Sequence, residues 1–394
     1  MTRLPLTGVR VLALEQAVAA PLCTRHLADL GADVVKVERP GEGDFARGYD
    51  SLLGGLASWL VWLNGGKRSI AVDLKHEAGR QIIHRLADRA DIVVQNFLPG
   101  TMEKLGLGVD QLRAGRPRLI AVAISGFGET GSYASRKAYD ALVQGEVGLI
   151  AITGTPDQPA KVGISAVDIA TGVYSLSSIL AALYQRTATG EGATIRTTLF
   201  DSMGEWVNPA ILQARAGRPP KRAADRHAAI VPYGPYRCGG GRRVSFAVQN
   251  EREWRQLCAA VLLRPELATD PRFDRNELRV INRDDLEPEI ERLLADVSLD
   301  EAERRLEAAG IAYARTNEPG DVLDHPAAVE RDRLRVVHTS AGDFPMLRPP
   351  FNVDGWPTPD VRVPDLGEHT DAVLAELGYD AKAIADLRAA GAVA

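Results

Sequence analysis

The amino-acid sequence predicts an α/β protein. Its large domain is expected to be doubly wound and Rossmann-like and built from both chain ends, with a smaller α+β domain. Three observations support this. Short runs rich in Val, Ile and Leu alternate with amphipathic segments over 8–206, a pattern typical of parallel sheets with helices on both faces. The composition shifts to Arg, Pro and Ala over 214–232, which indicates a connection. The tail from about 330 has too few strand-like runs for a core of its own, so we expect it to pack on the N-terminal part.

Each predicted element rests on a local pattern. The strands are short apolar runs, and the helices carry apolar residues at helical spacing. The first helix begins with Pro and ends with Gly, the usual residues at those positions. In chain order we predict a strand over 8–15, a helix over 21–31, strands over 32–38 and 67–74, a helix over 76–90, strands over 91–97 and 118–128, a helix from Asp168, and a strand followed by a helix start within 189–206.

The second half of the chain predicts the smaller domain and a returning tail. A strand over 242–249 and two charged helices define the small domain, and "CGGGRR" (238–243) predicts a hairpin in it. Two helices end the chain. The predicted boundaries are 1–213 for the N-terminal part of the large domain, 214–224 for a linker, 225–325 for the small domain, and 326–394 for a linker and the C-terminal part of the large domain.

Composition restricts the partners and the compartment. The chain has 394 residues, 47 basic and 52 acidic, and a net charge of −5, which argues against a nucleic-acid or membrane partner. Cys23, Cys238 and Cys258 lie far apart without metal-ligand spacing, so we expect no metal site and no disulfide. We find no signal peptide and no run of eighteen apolar residues, and we predict a cytoplasmic protein.

The loops after the predicted strands indicate where a ligand binds. In doubly wound sheets, ligands lie at the carboxyl ends of the strands. The segments "EQAVAAP", "ERPGEGD", "NF" and "SGFGETGSY" follow four of them. The first loop lacks G-x-G-x-x-G, and no G-x-x-x-x-G-K-[ST] occurs in the chain. We therefore do not expect a dinucleotide or a nucleoside triphosphate held by these motifs.

Asp168 stands where the apolar segment "ISAVDIATGVYSL" turns into a helix. Two interpretations are open. The carboxylate can cap the helix by accepting hydrogen bonds from its first N–H groups, a contribution of about 0.5–2 kcal/mol relative to Ala. Alternatively, the same N–H dipoles hold the carboxylate ionised and oriented for attack on a substrate. The local sequence does not decide between these two roles, and they are compatible.

Five blocks carry a family resemblance. They are "LTGVRVLALEQAVAAPLCTRHLADLGADVVKVERPGEGD", "LNGGKRSIAVDL", "DIVVQNFLPGTMEKLGLG", "RLIAVAISGFGETGSYASRKAYD" and "VDIATGVYSLSSILAALYQRTATGEGATIRTTLFD". In order and spacing the chain resembles the class III CoA-transferases, a superfamily that includes α-methylacyl-CoA racemase. The resemblance implies an interlocked homodimer. It also implies CoA transfer from an acyl-CoA to a small carboxylic acid, with the CoA thioester as substrate and no further cofactor.

The resemblance assigns a role to Asp168. The family's nucleophile is an Asp before "TG", and it would form an aspartyl anhydride and then an aspartyl-CoA thioester, without ATP. The helix N-terminus is expected to keep Asp168 ionised near neutral pH. The same resemblance places several residues along bound CoA, although each basic side chain alone could be an ordinary surface charge. They are Val18, Ala19, Arg39, Lys67, Asn96, Phe97, Lys104 and Lys137.

Two departures keep alternatives open. The racemases have a His before an Asp where this chain has Tyr139 and Asp140, so racemisation would lack one base. The tetraglycine loop of formyl-CoA transferase has no assigned counterpart here, which leaves the shielding of the anhydride unexplained. The segments 226–238 and 248–254 resemble the dicarboxylate branch, so His227 and Tyr233 are expected near the acyl group or in a structural turn. A racemase and a catalytically silent CoA-binding paralogue remain the alternatives.

Overall fold

The computed structural model describes residues 3–394 and contains these strands and helices. The strands are β1 (Arg10–Leu14), β2 (Asp33–Glu38), β3 (Lys67–Ala71), β4 (Ile92–Gln95), β5 (Ile120–Ser125), β6 (Thr194–Thr198), β7 (Tyr233–Arg237), β8 (Arg243–Ala247), β9 (Ala312–Ala314), β10 (Leu334–Thr339), β11 (Gly342–Leu347) and β12 (Val361–Arg362). The helices are α1 (Ala19–Asp29), α2 (Ser58–Asn64), α3 (Glu77–Ala87), α4 (Thr101–Lys104), α5 (Val109–Arg113), α6 (Asp140–Glu146), α7 (Leu149–Ile152), α8 (Ala166–Thr189), α9 (Leu199–Arg215), α10 (Glu251–Gln256), α11 (Asn276–Ile281), α12 (Arg283–Leu294), α13 (Leu299–Ala308), α14 (Pro326–Val329), α15 (Thr370–Glu376) and α16 (Ala381–Ala389).

The main sheet is six-stranded and parallel, in the order β3-β2-β1-β4-β5-β6. Its central strands β1, β4 and β5 are buried almost throughout, because helices cover both faces. This confirms the predicted parallel sheet. The order reverses between β1 and β4, and in such sheets a ligand site is expected outside the carboxyl ends of the two strands at that point.

The chain divides into two compact units. The first contains the chain up to Val147, Gly163–Trp206 and Leu323–Ala394, and the second contains Gly148–Val162 and Val207–Val322. These limits differ from the predicted boundaries 1–213 and 225–325. The segment 148–162 belongs to the second unit because the Arg222 guanidinium donates to backbone carbonyls of Ala151, Thr155 and Pro156.

The C-terminal tail is part of the first unit. Val373 and Leu374 of α15 share a buried core with Ile70 and Val72, and such side chains contribute roughly 1.5–3 kcal/mol each when fully buried. The tail contains strands of its own, but their apolar residues share a core with the N-terminal part of the chain. Strands β10, β11 and β12 form a small sheet, whose apolar residues pack against α2 around Leu60.

The second unit has its own core. Strands β7, β8 and β9 form an antiparallel sheet, and Phe246 and Trp254 are buried with residues of α12 and α13. The predicted hairpin at "CGGGRR" is present, since Gly239–Gly241 connect β7 to its antiparallel neighbour β8.

Helix α8 lies against α1 with almost no space between them. A Cβ atom on Gly172 would stand 2.7 Å from the carbonyl oxygen of Ala19, so only glycine permits this approach.

Within residues 3–394, α8 is the one helix that is long and apolar enough to cross a bilayer, although no such run was expected. Half of its most apolar window is buried in the protein, as in core helices that pass the same test.

Candidate active site

Asp168 lies in the first turn of α8 but does not cap it. The N-cap residue is Ser165, whose side chain forms no capping hydrogen bond. The free N–H groups of Val167 and Asp168 instead donate to Oδ2 of Asp140, at 2.8 and 3.3 Å. The capping role considered for Asp168 therefore belongs to Asp140, the first residue of α6. This leaves the Asp168 carboxylate available for other chemistry.

The electrostatic environment of Asp168 differs from the expectation. Burial, followed by the negative charge of Asp140, raises the pKa of Asp168 to about 7. Among residues 3–394, no basic side chain forms an ion pair with this carboxylate. Asp168 was predicted to be kept ionised near neutral pH by the helix N-terminus. A pKa of about 7 leaves it only partly ionised there, because Asp140 already binds the N–H groups and desolvation favours the neutral acid.

Two phenols accompany Asp168. Burial and the negative charges of Asp44 and Asp168 raise the pKa of Tyr49 to about 12, so its hydroxyl stays a neutral donor. The Tyr49 ring packs edge-on against Trp59, with centroids 6.0 Å apart. Tyr139 precedes α6, and 57% of its surface is exposed. Sequence reasoning missed Tyr49; its only signal was its position eleven residues after Glu38, which ends β2.

Asn96 lies at the point where the strand order reverses. Its Oδ1 accepts the N–H of Gln16 at 3.0 Å, and its Nδ2 donates to the Gln16 carbonyl at 2.8 Å. These two bonds fix the turn after β1, directly before Val18 and Ala19 at the start of α1. Phe97 is half-buried against the first unit's core. The structure thus joins Asn96 to the backbone that leads into Val18 and Ala19.

The predicted basic residues divide into exposed and buried ones. Arg39 follows β2, its side chain is 65% exposed, and it pairs with exposed Glu42 at 2.8 Å. Lys104 ends α4 and Lys137 precedes α6, and both are exposed. These three remain accessible to an anionic ligand.

Lys67 does not fit its predicted role. Its ammonium is fully buried and donates to Glu15 at 2.6 Å, to the Pro21 carbonyl at 3.0 Å and to Asn64 at 3.3 Å. Burial, joined by the charge of Lys36, lowers its pKa to about 8. Lys67 begins β3, whereas the ligand edge lies where the strands end. Lys75, which follows β3, is exposed.

His227 and Tyr233 lie in the second unit and contact each other. Their rings stack with centroids 5.1 Å apart, and His227 Nδ1 accepts the N–H of Ala229 at 3.1 Å. Burial lowers the pKa of His227, which favours the neutral ring. This geometry supports the structural turn among the two roles considered. Within residues 3–394, no three His, Cys, Asp or Glu side chains are grouped to hold a metal ion.

Comparison with known proteins decides the family. The family model described as CoA-transferase family III matches residues 6–370. The chain belongs to this family. It is 36% identical to the succinate–glutarate CoA-transferase of Agrobacterium fabrum, over 95% of this chain and 96% of that protein. It is 35% identical to the succinyl-CoA:mesaconate CoA-transferase of Haloarcula marismortui, over 95% and 97%.

A solved structure supports the same assignment. The crystal structure of a CaiB/BaiF family protein from Brucella suis superposes with a TM-score of 0.83 at 36% identity, and it covers 95% of this chain and all of that one. The chain is therefore a class III CoA-transferase.

Proposed function

We propose that this CoA-transferase moves CoA from an acyl-CoA to a small dicarboxylic acid, with Asp168 as the nucleophile. The observation that carries this proposal is a partly buried carboxylate that forms no ion pair among residues 3–394 and has a pKa of about 7. A desolvated carboxylate without a counter-ion is more reactive toward a carbonyl carbon than a hydrated one. Near neutral pH a large fraction of Asp168 is ionised and ready to attack.

The proposed reaction has four displacements. Asp168 attacks the thioester carbonyl, the C–S bond breaks, and a mixed anhydride and CoA thiolate form. The thiolate attacks the Asp168 carbonyl carbon, which releases the donor acid as a carboxylate and leaves an aspartyl-CoA thioester. The acceptor carboxylate attacks that thioester and forms a second anhydride and CoA thiolate. The thiolate then attacks the acceptor acyl carbon, which gives the new acyl-CoA and regenerates the Asp168 carboxylate.

The site offers neutral donors for the acid substrate. A second carboxylate on the acid can accept hydrogen bonds from the hydroxyls of Tyr49 and Tyr139 without an added positive charge that would neutralise Asp168. Glutarate and mesaconate, which appear in the names of two relatives, are dicarboxylates of this kind. In the proposal, Arg39, Lys75, Lys104 and Lys137 supply charge for the CoA phosphates, and Val18, Ala19, Asn96 and Phe97 line its path. The protein acts as a homodimer without a further cofactor.

A trapping experiment tests the mechanism. Incubation with succinyl-CoA in the absence of acceptor is expected to leave a covalent adduct on the peptide containing Asp168, visible by mass spectrometry and sensitive to hydroxylamine or borohydride. Asp168→Asn should form none, while it still binds CoA. Deuterium exchange at the α-carbon of a 2-methylacyl-CoA, with no adduct, would support the racemase alternative instead.

An acceptor panel tests the substrate class. With succinyl-CoA as donor, glutarate and mesaconate should react faster than the monocarboxylate butyrate. Equal or faster reaction of butyrate would reject the dicarboxylate assignment without affecting the nucleophile.

A further inference from the structure

We infer that Asp44 is a positioning residue. It holds the turn between β1 and α1 so that the backbone of Val18 and Ala19 contacts the acyl-CoA at a fixed position relative to Asp168. The inference rests on the proposed function, because the contact of Val18 and Ala19 with CoA is itself proposed. Asp44 lies in the loop after β2 and had no role in the sequence analysis.

The turn contains a strained residue. Ala17 has a φ of +62°, a value that residues with a Cβ rarely adopt. For alanine, the population of the left-handed conformation is lower than that of the right-handed one by on the order of 5- to 30-fold. Such a conformation persists only where surrounding contacts enforce it. The turn therefore needs contacts that fix the peptide group leading into Ala17.

Asp44 provides one of these contacts. Its Oδ1 accepts the N–H of Ala17 at 3.0 Å, while Asn96 holds the backbone of Gln16. The same Oδ1 accepts the N–H of Ala46 at 3.0 Å and thereby caps the short helix Phe45–Gly48. The two bonds tie the turn after β1 to the loop after β2.

Asp44 is itself rigidly held. It is 5% exposed, its Oδ2 accepts the Lys36 ammonium at 2.7 Å, and its N–H donates to Glu38 Oε2 at 3.0 Å. Lys36 is 1% exposed and also donates to Asn64 Oδ1 at 3.0 Å. A carboxylate fixed at both oxygens can impose a conformation on its neighbour rather than adapt to it.

The position of this turn bears on the chemistry. Val18 packs in one apolar cluster with Ile169, the residue after Asp168, and the Ala19 carbonyl touches Gly172 one turn further along α8. A movement of the turn therefore shifts the start of α1 relative to Asp168. Misplacement of a reacting group by about 1 Å can reduce a rate on the order of 100-fold.

A simpler role for Asp44 is to neutralise buried Lys36, and charge-matched variants separate the two roles. Lys36→Met/Asp44→Asn and Lys36→Met/Asp44→Ala both lack the ion pair, but only the first keeps an oxygen that can accept the Ala17 N–H. We expect kcat/KM for acyl-CoA to be at least about fivefold lower in the Ala variant than in the Asn variant, which is the lower end of the left-handed penalty.

Rescue by glycine provides a readout that a purely structural role would not change. Gly adopts positive φ without a steric cost, so Ala17→Gly should restore kcat/KM of Lys36→Met/Asp44→Ala by at least about fivefold and change the wild type by less than about twofold. Equal kcat/KM in the two double variants, or no rescue by Ala17→Gly, would overturn the inference. If the Ala variant does not fold, Lys36→Met/Asp44→Gly also lacks an oxygen for the Ala17 N–H but has a residue that is well tolerated at the N-cap of Phe45–Gly48, and it is compared in the same way. Failure of the proposed mechanism would appear separately, as absence of the Asp168 adduct in the wild type.

Discussion

Replacement of Asp168 by Asn should stabilise the protein more at pH 8 than at pH 5. The folded state raises the pKa of Asp168 from 3.8 to about 7. The folded protein therefore binds the proton more tightly than the unfolded chain, and the stability of the wild type falls as the pH rises through that window. Below pH 3.8 the Asp168 carboxyl does not lower the free energy of unfolding, and above about pH 7 it lowers it by the full amount.

The magnitude follows from the two pKa values. Each unit of pKa difference corresponds to about 1.4 kcal/mol, so the whole window amounts to roughly 4 kcal/mol. Between pH 5 and pH 8 the free energy of unfolding of the wild type should fall by about 2–3 kcal/mol relative to that of Asp168→Asn. Only this change of the difference with pH is diagnostic, because the amide also alters local hydrogen bonds in a manner independent of pH.

Urea unfolding at the two pH values measures the effect. Trp59 and Trp62 pack with Ile169, so their fluorescence reports on the structure around Asp168. The matched control is Asp201→Asn, since Asp201 also lies in the first turn of a helix but is exposed. A stability difference between wild type and Asp168→Asn that is the same at both pH values would refute the burial argument.

Four further outcomes are expected. The kcat/KM of the wild type should rise about tenfold per pH unit below pH 7 and level off above it, and Asp140→Asn should move the midpoint to lower pH, as pH–rate profiles will show. Lys67→Met should reduce the free energy of unfolding by up to about 3–5 kcal/mol in urea titrations, because it removes the nearer of the two ammonium groups that pair with the buried Glu15 carboxylate and leaves only Lys36, 3.9 Å away; an intact fold with a raised KM would contradict this. Arg39→Ala should raise the KM for acyl-CoA at least about tenfold at unchanged kcat, since a phosphate contact contributes equally to ground and transition states. Gly172→Ala should cost about 1–3 kcal/mol by thermal or urea unfolding, and an unchanged stability would show that α1 and α8 can separate freely.

The sequence was sufficient for features that depend on local patterns. Alternation of apolar runs and amphipathic segments predicted the parallel sheet, and the apolar segment with a single acid located Asp168 at a helix start. Features that depend on tertiary placement were not accessible. Lys67 was expected to hold the nucleotide from the start of a predicted strand, and nothing local shows that its ammonium is buried against Glu15.

The electrostatics of the site show the same limit. The pKa of Asp168 depends on burial and on Asp140, which lies 28 residues earlier in the chain. The residue that caps α8 is Asp140 of α6, a different helix. A rule based on neighbouring residues therefore assigned the capping role to Asp168, the nearest acid in the chain. Tyr49 lies in the loop after β2, and it acquires its neighbour Asp168, far along the chain, only through tertiary packing.

The contact between Gly172 and the Ala19 carbonyl has a consequence for how new specificities can arise in this enzyme. The spacing of α1 and α8 at this point is set by the Ala19 carbonyl and the Leu22 side chain, and neither Tyr49 nor Tyr139 takes part in it. In the proposed mechanism, substitutions at Tyr49 or Tyr139 therefore enlarge or repolarise the proposed acid site while the distance from the Asp168 backbone to the start of α1 stays constant. In that mechanism, the reaction geometry and the choice of acid thus depend on different residues. A library of variants confined to Tyr49 and Tyr139 should therefore change the preferred acceptor acid and leave the position of the nucleophile unchanged.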